Sequence, residues 1–185
     1  MRYFLSLLIL GFSLILPSAH ASESAWPLLQ EGGKIVFIRH AYAPGGGDPS
    51  NFSIDDCSTQ RNLNQQGIDQ SLSMGEDFRK YEIPIQQVYS SQWCRCKDTA
   101  SYAFGNYQEL SALNSTFEGK YRQNHQQQMR ELKELIADWD NSEGNLILVT
   151  HYVIIGGMLG YYPSSGELVI TDKNLEVLDS IETNY

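Results

Sequence analysis

Apolar and polar positions along this chain divide it into alternating strands and helices. Residues 34–39 carry the unbroken apolar run Ile35-Val36-Phe37-Ile38, the length of a buried strand. A loop containing Pro44, Gly45-Gly46-Gly47 and Pro49 follows, and it continues through Asp55-Asp56-Cys57. Asn64 is the N-cap of a predicted helix ending near Tyr81, with Ile68, Leu72, Gly75 and Phe78 on one face. Pro84 sets off a second strand over residues 87–90, and its helix extends over 93–104 until Gly105 stops it. A short third strand is expected at 110–113, then a loop at 118–124. The helix after it, over 125–139, turns Met129, Leu132, Leu135 and Ile136 inward. Residues 145–150 form the fourth strand, and His151 leads into a short helix through Leu159. Residues 167–171 and 175–178 flank Asp172-Lys173-Asn174 as a terminal hairpin. This order predicts an α/β three-layer sandwich with a mostly parallel central sheet, helices on both faces and a C-terminal β-hairpin.

The amino terminus has a different pattern. Arg2 is followed by an apolar stretch over residues 3–16, then Pro17 and Ala19-His20-Ala21. That is the layout of a secretory signal peptide, residues 1–21, with an A-x-A cleavage site. The stretch is short for a membrane span of about 20 residues. Residues 22–185 then make a single domain of 164 residues, with no further long apolar segment and no membrane span after cleavage. The expected location is periplasmic or secreted.

Charge and cysteine content narrow the partners. The net charge of −9 excludes a general nucleic-acid binder, because affinity for a phosphate backbone needs basic surface. An anionic ligand would therefore need a local basic pocket. Export makes one disulfide the expectation among Cys57, Cys94 and Cys96, pairing Cys57 with Cys94 or Cys96 and joining the Arg61 segment to the Arg95 segment. A C-x-C pair with one distant cysteine lacks the two-pair spacing of a zinc site, and no metal or cofactor is expected.

Candidate chemistry sits at strand ends. His40 and His151 each close an apolar run, and parallel strands open their carboxyl ends on the same sheet edge, where such folds bind ligands. His125, in a Gln-rich stretch, reads as a solvated helix residue, and Tyr42, Phe52, Trp93 and Tyr152 read either as pocket-lining or as plain packing residues. A neutral imidazole is a nucleophile, and nearby guanidinium groups favour the neutral form. Arg39, Arg61 and Arg95 can also grip phosphate oxygens with a fixed fork of donors. The sequence has no C-x5-R, no G-x-x-x-x-G-K-[ST] and no G-x-S-x-G.

Arg39-His40-Ala41, Arg61-Asn62-Leu63-Asn64-Gln65-Gln66-Gly67, Ser90-Ser91 with Arg95 and Thr99-Ala100, and Val149-Thr150-His151 fall in this order over nearly all of residues 22–185. Together they resemble the successive motifs of the histidine phosphatase superfamily, also called phosphoglycerate mutase-like. The resemblance implies that His40 becomes phosphohistidine, and that Arg39, Arg95 and His151 bind the phosphoryl group with Arg61 as a fifth member. Ala41 and Thr150 replace family glycines, and Cys94 and Cys96 flank Arg95. Many relatives carry an acidic proton donor after the third strand. Glu118 is the candidate here, although that place could fall at Ser115, and Asp48, Asp55 and Asp56 are alternatives. The implied activity is that of an exported phosphatase acting on a small phosphorylated substrate. An envelope saccharide such as lipopolysaccharide core heptose phosphate fits that location. A non-catalytic phospholigand-binding protein, a phosphomutase and a phosphoramidate phosphatase are the alternatives.

Overall fold

The register between two neighbouring strands fixes where the chemistry lies. In a computed structural model, which describes residues 25–117 and 119–183, β1 (Ile35–Arg39) runs parallel to β4 (Asn145–Thr150) from Ile35↔Leu146 to Arg39↔Thr150. The two strands end level, so His40 and His151 leave the sheet side by side. The leader expected over 1–21 and the candidate acid Glu118 lie outside the described residues.

β2 (Ile85–Ser90), β3 (Gln108–Glu109), β5 (Leu168–Thr171) and β6 (Val177–Ile181) complete a sheet of order β3-β2-β4-β1-β5-β6. The first four strands in that order are mutually parallel, while β5 is antiparallel to both β1 and β6. Successive side chains of a strand point to opposite faces, and each face here meets its own helices. Val36, Ile38, Ile147 and Val149 pack with α1 (Ala25–Gln30), α2 (Gln65–Lys80) and α3 (Cys94–Phe104). Ile35, Phe37, Leu146 and Leu148 pack with α4 (His125–Asp138) and α5 (Tyr152–Leu159). Burial on both faces explains why β1 and β4 read as continuous apolar runs rather than alternating ones.

Local signals account for the element ends. The Asn64 side chain accepts the Gly67 N–H at 3.0 Å, so the predicted cap opens α2. Gly67 has a second duty, because a Cβ there would stand 2.1 Å from the Tyr42 carbonyl oxygen. Only glycine lets α2 approach the chain leaving β1 this closely. The disulfide joins Cys57 to Cys94, which decides between the two pairings expected, and Cys96 is a buried free thiol.

Four expectations are corrected. The third strand is Gln108–Glu109, and Ser111–Leu113 is a turn of 3-10 helix. Gln128 of α4 donates to the Ser111, Ala112 and Asn114 carbonyls, so the apolar pair Ala112-Leu113 is buried by docking under α4 rather than by strand pairing. Gly119–Asn124 is 3-10 helix rather than loop. The last strand starts at Val177, because Leu175 has φ 66° and Asp172 Oδ1 accepts the Asn174 and Glu176 N–H groups, prolonging the turn. β2 begins at Ile85, two residues earlier than the apolar pattern shows.

Candidate active site

Two imidazoles form the floor of the site. The His40 and His151 ring centroids are 5.5 Å apart, and both residues are buried, at 1% and 2% exposure. His40 Nδ1 lies 2.8 Å from the Ala41 carbonyl oxygen. A carbonyl can only accept, so Nδ1 carries the hydrogen and Nε2 of the neutral ring holds the lone pair. Thr99 of α3 secures the same turn by accepting the Ala41 N–H at 3.0 Å. Burial, and then the charges of Arg95, Arg61 and Arg39, push the His40 pKa well below the ordinary imidazole value.

A chain of side chains orients His151. Asn114 Oδ1 accepts the Gln92 N–H at 2.8 Å and the Ser91 hydroxyl at 3.1 Å. With its one proton committed to Asn114, Ser91 Oγ accepts at 3.0 Å from His151 Nε2–H. His151 Nδ1 is thereby the acceptor, and Arg95 Nη2 stands 3.5 Å from it. Burial first, then Arg95 and His40, hold the His151 pKa well below the usual value too.

The arginines differ in how firmly they are held. Arg39 donates from Nη1 to the Pro163 carbonyl at 2.8 Å and lies over the Tyr152 ring, 5.2 Å from its centroid. Arg61 donates from Nε to the Gly47 carbonyl at 3.0 Å and from Nη1 to the Ala43 carbonyl. It therefore shapes the first loop as well as charging the site. Arg95, on the first turn of α3, meets Asp48 in a fork, Nη1 to Oδ1 at 2.8 Å and Nη2 to Oδ2 at 3.3 Å. Among the described residues its buried Nε has no hydrogen-bond partner.

These groups face a cavity of about 610 Å³ lined by Arg39, His40, Arg61, Arg95 and His151. Five of the six residues singled out by the motifs and the acid search thus converge, and the sixth, Glu118, is outside the described residues. Ser115 lines the cavity, as does Asp48; Asp55 and Asp56 do not. Asp56 accepts the Ser58 N–H at 3.0 Å and caps a turn. One cavity wall is aromatic. Phe52 stacks on Trp93 with centroids 5.0 Å apart, and Tyr121 packs edge-on against Trp93 at 5.0 Å. Tyr42, Phe52, Trp93 and Tyr152 all line the cavity, which decides between the lining and packing roles left open by the sequence. Among the described residues no cluster of three or more His, Cys, Asp or Glu side chains is arranged to hold a metal ion, and no helix is long and apolar enough to cross a membrane.

A sheet edge that gathers two neutral histidines and three arginines defines an α/β protein built to handle an oxyanion. The chain belongs to the histidine phosphatase superfamily, branch 1, whose family pattern matches residues 35–147; His151 lies just beyond the matched segment. Solved structures share the fold at low identity. The "putative phosphohistidine phosphatase SixA" from Agrobacterium tumefaciens is 15% identical with a TM-score of 0.54, over 82% of this chain and 99% of that one. The protein TTHB049 from Thermus thermophilus is 13% identical with a TM-score of 0.55, over 80% and 98%. The open reading frame Rv3214 product from Mycobacterium tuberculosis is 14% identical with a TM-score of 0.55, over 82% and 95%. No curated protein matches the chain.

Proposed function

We propose that this protein is a phosphatase that hydrolyses a phosphomonoester through a phosphohistidine at His40. One observation carries the reading: the Ala41 carbonyl takes the Nδ1 hydrogen of a buried His40, which leaves Nε2 as a nucleophile in a cavity ringed by arginines. Nε2 attacks phosphorus, the leaving oxygen departs with a proton, and water then displaces the phosphoryl group from Nε2. Arg39, Arg95 and His151, with Arg61 behind the loop, neutralise charge on the equatorial oxygens, which is most of what phosphoryl transfer asks of a protein. His151 takes a proton on Nδ1 when an anionic phosphoryl group arrives, because opposite charge favours the protonated ring.

The substrate reading is finer. A cavity of about 610 Å³ is far larger than phosphate, and its Phe52, Trp93 and Tyr121 wall suits the flat face of a ring-bearing leaving group. The leader-like residues 1–21 and the Cys57–Cys94 disulfide support export to an oxidising compartment. An envelope sugar phosphate, such as a lipopolysaccharide core heptose phosphate, combines both features.

A phosphate-release screen over sugar phosphates, phospholipid headgroups and phosphoramidates tests this, comparing wild type with His40→Ala. Wild type should turn over a sugar phosphate and give labelled phosphohistidine after an alkaline denaturing quench, and His40→Ala should do neither. Equal turnover by the two proteins overturns the mechanism. Ligand binding without turnover or label in wild type makes the protein a binding module instead.

A further inference from the structure

The leaving oxygen needs a proton, and the cavity contains one carboxylate among the described residues that line it, Asp48. We propose that Asp48 is the proton donor to the leaving group, released from Arg95 when the substrate's phosphoryl group takes that guanidinium. The inference rests on the phosphohistidine mechanism and adds the acid that mechanism lacks.

The contacts of the two carboxylate oxygens are unequal. Oδ1 accepts Arg95 Nη1 at 2.8 Å and the Arg61 N–H at 3.1 Å, both close. Oδ2 accepts the Trp93 indole N–H at 3.0 Å, whereas Arg95 Nη2 is 3.3 Å away. That same Nη2 is 3.5 Å from His151 Nδ1. Nη2 is therefore the loosely engaged corner of the Arg95 fork, lying between a histidine that faces the site and one oxygen of Asp48. A phosphoryl oxygen is a stronger acceptor for it than either present neighbour. Once Nη2 turns to phosphate, Oδ2 keeps the indole hydrogen bond and lies beside an anion.

The charge balance around Asp48 then reverses. Burial favours its neutral form, but the hydrogen bonds and charge of Arg95, together with Trp93 and the Arg61 N–H, outweigh burial and keep the carboxyl below its ordinary pKa. His40, His151, Arg39, Arg61, Lys120 and the phenols of Tyr42, Tyr121 and Tyr152 are the other titratable or charged groups among the described residues that line the cavity. A bound phosphate dianion cancels the field of the arginines and adds like charge, and both changes favour a protonated Asp48. The proton arrives from solvent or with a monoanionic substrate.

The steps balance. The His40 Nε2–P bond forms as the bond from phosphorus to the leaving oxygen breaks, and the Oδ2 proton goes to that oxygen to give a neutral alcohol. In the second half a water oxygen attacks phosphorus, the N–P bond breaks, and Asp48 takes the water proton, so that ester and water have become alcohol and phosphate. When phosphate leaves, Asp48 gives up the proton and returns to Arg95.

The test is the dependence of rate on the leaving group. Asp48→Asn, Asp48→Glu and Glu118→Gln are compared with wild type on glycerol phosphate, whose alkoxide needs protonation, and on 4-nitrophenyl phosphate, whose phenolate does not. Asp48→Asn should lower kcat on glycerol phosphate by about 10²- to 10⁴-fold, the usual worth of a general acid, and lower it at least ten times less on 4-nitrophenyl phosphate. Asp48→Glu should recover part of the loss on the alkyl ester. Turnover of the aryl ester shows in the same assay that the variant is folded. A loss of equal size on both esters gives Asp48 a structural role and overturns the proposal, as does the leaving-group-selective loss appearing in Glu118→Gln in place of Asp48→Asn. In wild type, absence of phosphohistidine with 4-nitrophenyl phosphate overturns the underlying mechanism itself, so the two failures are distinguishable.

Discussion

Ser91 Oγ sits 3.0 Å from His151 Nε2, and its own proton is committed to Asn114, so the hydroxyl determines which nitrogen of His151 faces Arg95. This makes Ser91 a positioning residue that acts through the imidazole. Ser91→Ala would leave the buried ring N–H with only the weak sulfur acceptor Cys96 Sγ, 3.4 Å away, at a cost of about 1 kcal/mol or more. The expected outcome is a tenfold or greater fall in kcat, about 1.4 kcal/mol or more of lost transition-state stabilisation. Nitrogen NMR of labelled His151 should show a changed tautomer mixture in this variant. An unchanged spectrum together with unchanged kcat would remove Ser91 from the site.

The Cys57–Cys94 disulfide ties the loop bearing Asp48 and Arg61 to the first turn of α3, next to Arg95. It closes a loop of 37 residues. In the chain-entropy view a loop of that length contributes about 4 kcal/mol by limiting the unfolded chain. Reduction, or Cys57→Ser with Cys94→Ser, should lower the thermal midpoint by many degrees and raise KM as the loop loosens. Cys96 should stay unlabelled by a thiol reagent in the folded protein, because burial pushes its thiol up to about 12. Alkylation followed by mass spectrometry, with and without denaturant, checks this.

Phe52 presents a stacked face to Trp93 at the cavity wall and is not itself one of the phosphate-handling residues. Phe52→Ala should therefore act on the leaving group. An aromatic contact is worth about 0.5–1.5 kcal/mol, so KM for a ring-bearing sugar phosphate should rise roughly 2- to 12-fold. KM for glycerol phosphate should change little by comparison. Steady-state kinetics with both substrates decides the point, and equal KM changes would deny the wall a role in substrate choice.

Much of the arrangement was legible where local pattern and contact coincide. The runs ending at His40 and His151 are buried on both sides, and the level pairing of β1 with β4 turns two strand ends into one site. The Asn64 cap and the extent of α2 followed from local chemistry in the same way, but the buried face of α2 runs through Met74, Gly75 and Phe78 and leaves Leu72 exposed. Asp48 could not be singled out, because what distinguishes it from Asp55 and Asp56 is a pairing with Arg95, 47 residues away. Trp93 stayed undecided for a similar reason, since a buried aromatic residue looks the same in a core as in a cavity wall. The misplaced third strand has a related cause: Ala112-Leu113 signals burial, and a short apolar segment satisfies that signal as a strand or as a docked turn. The six residues of α1 are too few to show a helical period.

Burying two neutral histidines links folding to pH. His40 and His151 both have folded-state pKa values held well below 6.5, with burial the main cause and Arg95 the next. In the unfolded chain each takes a proton near its ordinary pKa of about 6.5, so below that pH the unfolded state binds more protons than the folded one. Stability is therefore full above about pH 6.5 and falls as pH drops below it, by up to about 1.4 kcal/mol per pH unit for each histidine until the folded pKa is reached. The Asp48–Arg95 pair acts in a lower window: its carboxyl is depressed from 3.8, so that contribution persists above this value and is lost only as pH falls further. Chemical denaturation at pH 7.0, 6.0 and 5.0 separates the two. The wild type should lose stability progressively across that range, and His40→Asn with His151→Asn should flatten the loss, since asparagine takes up no proton. Equal slopes for the two proteins would show that the histidines titrate alike in the folded and unfolded chain, and would remove the neutral nucleophile on which the mechanism depends.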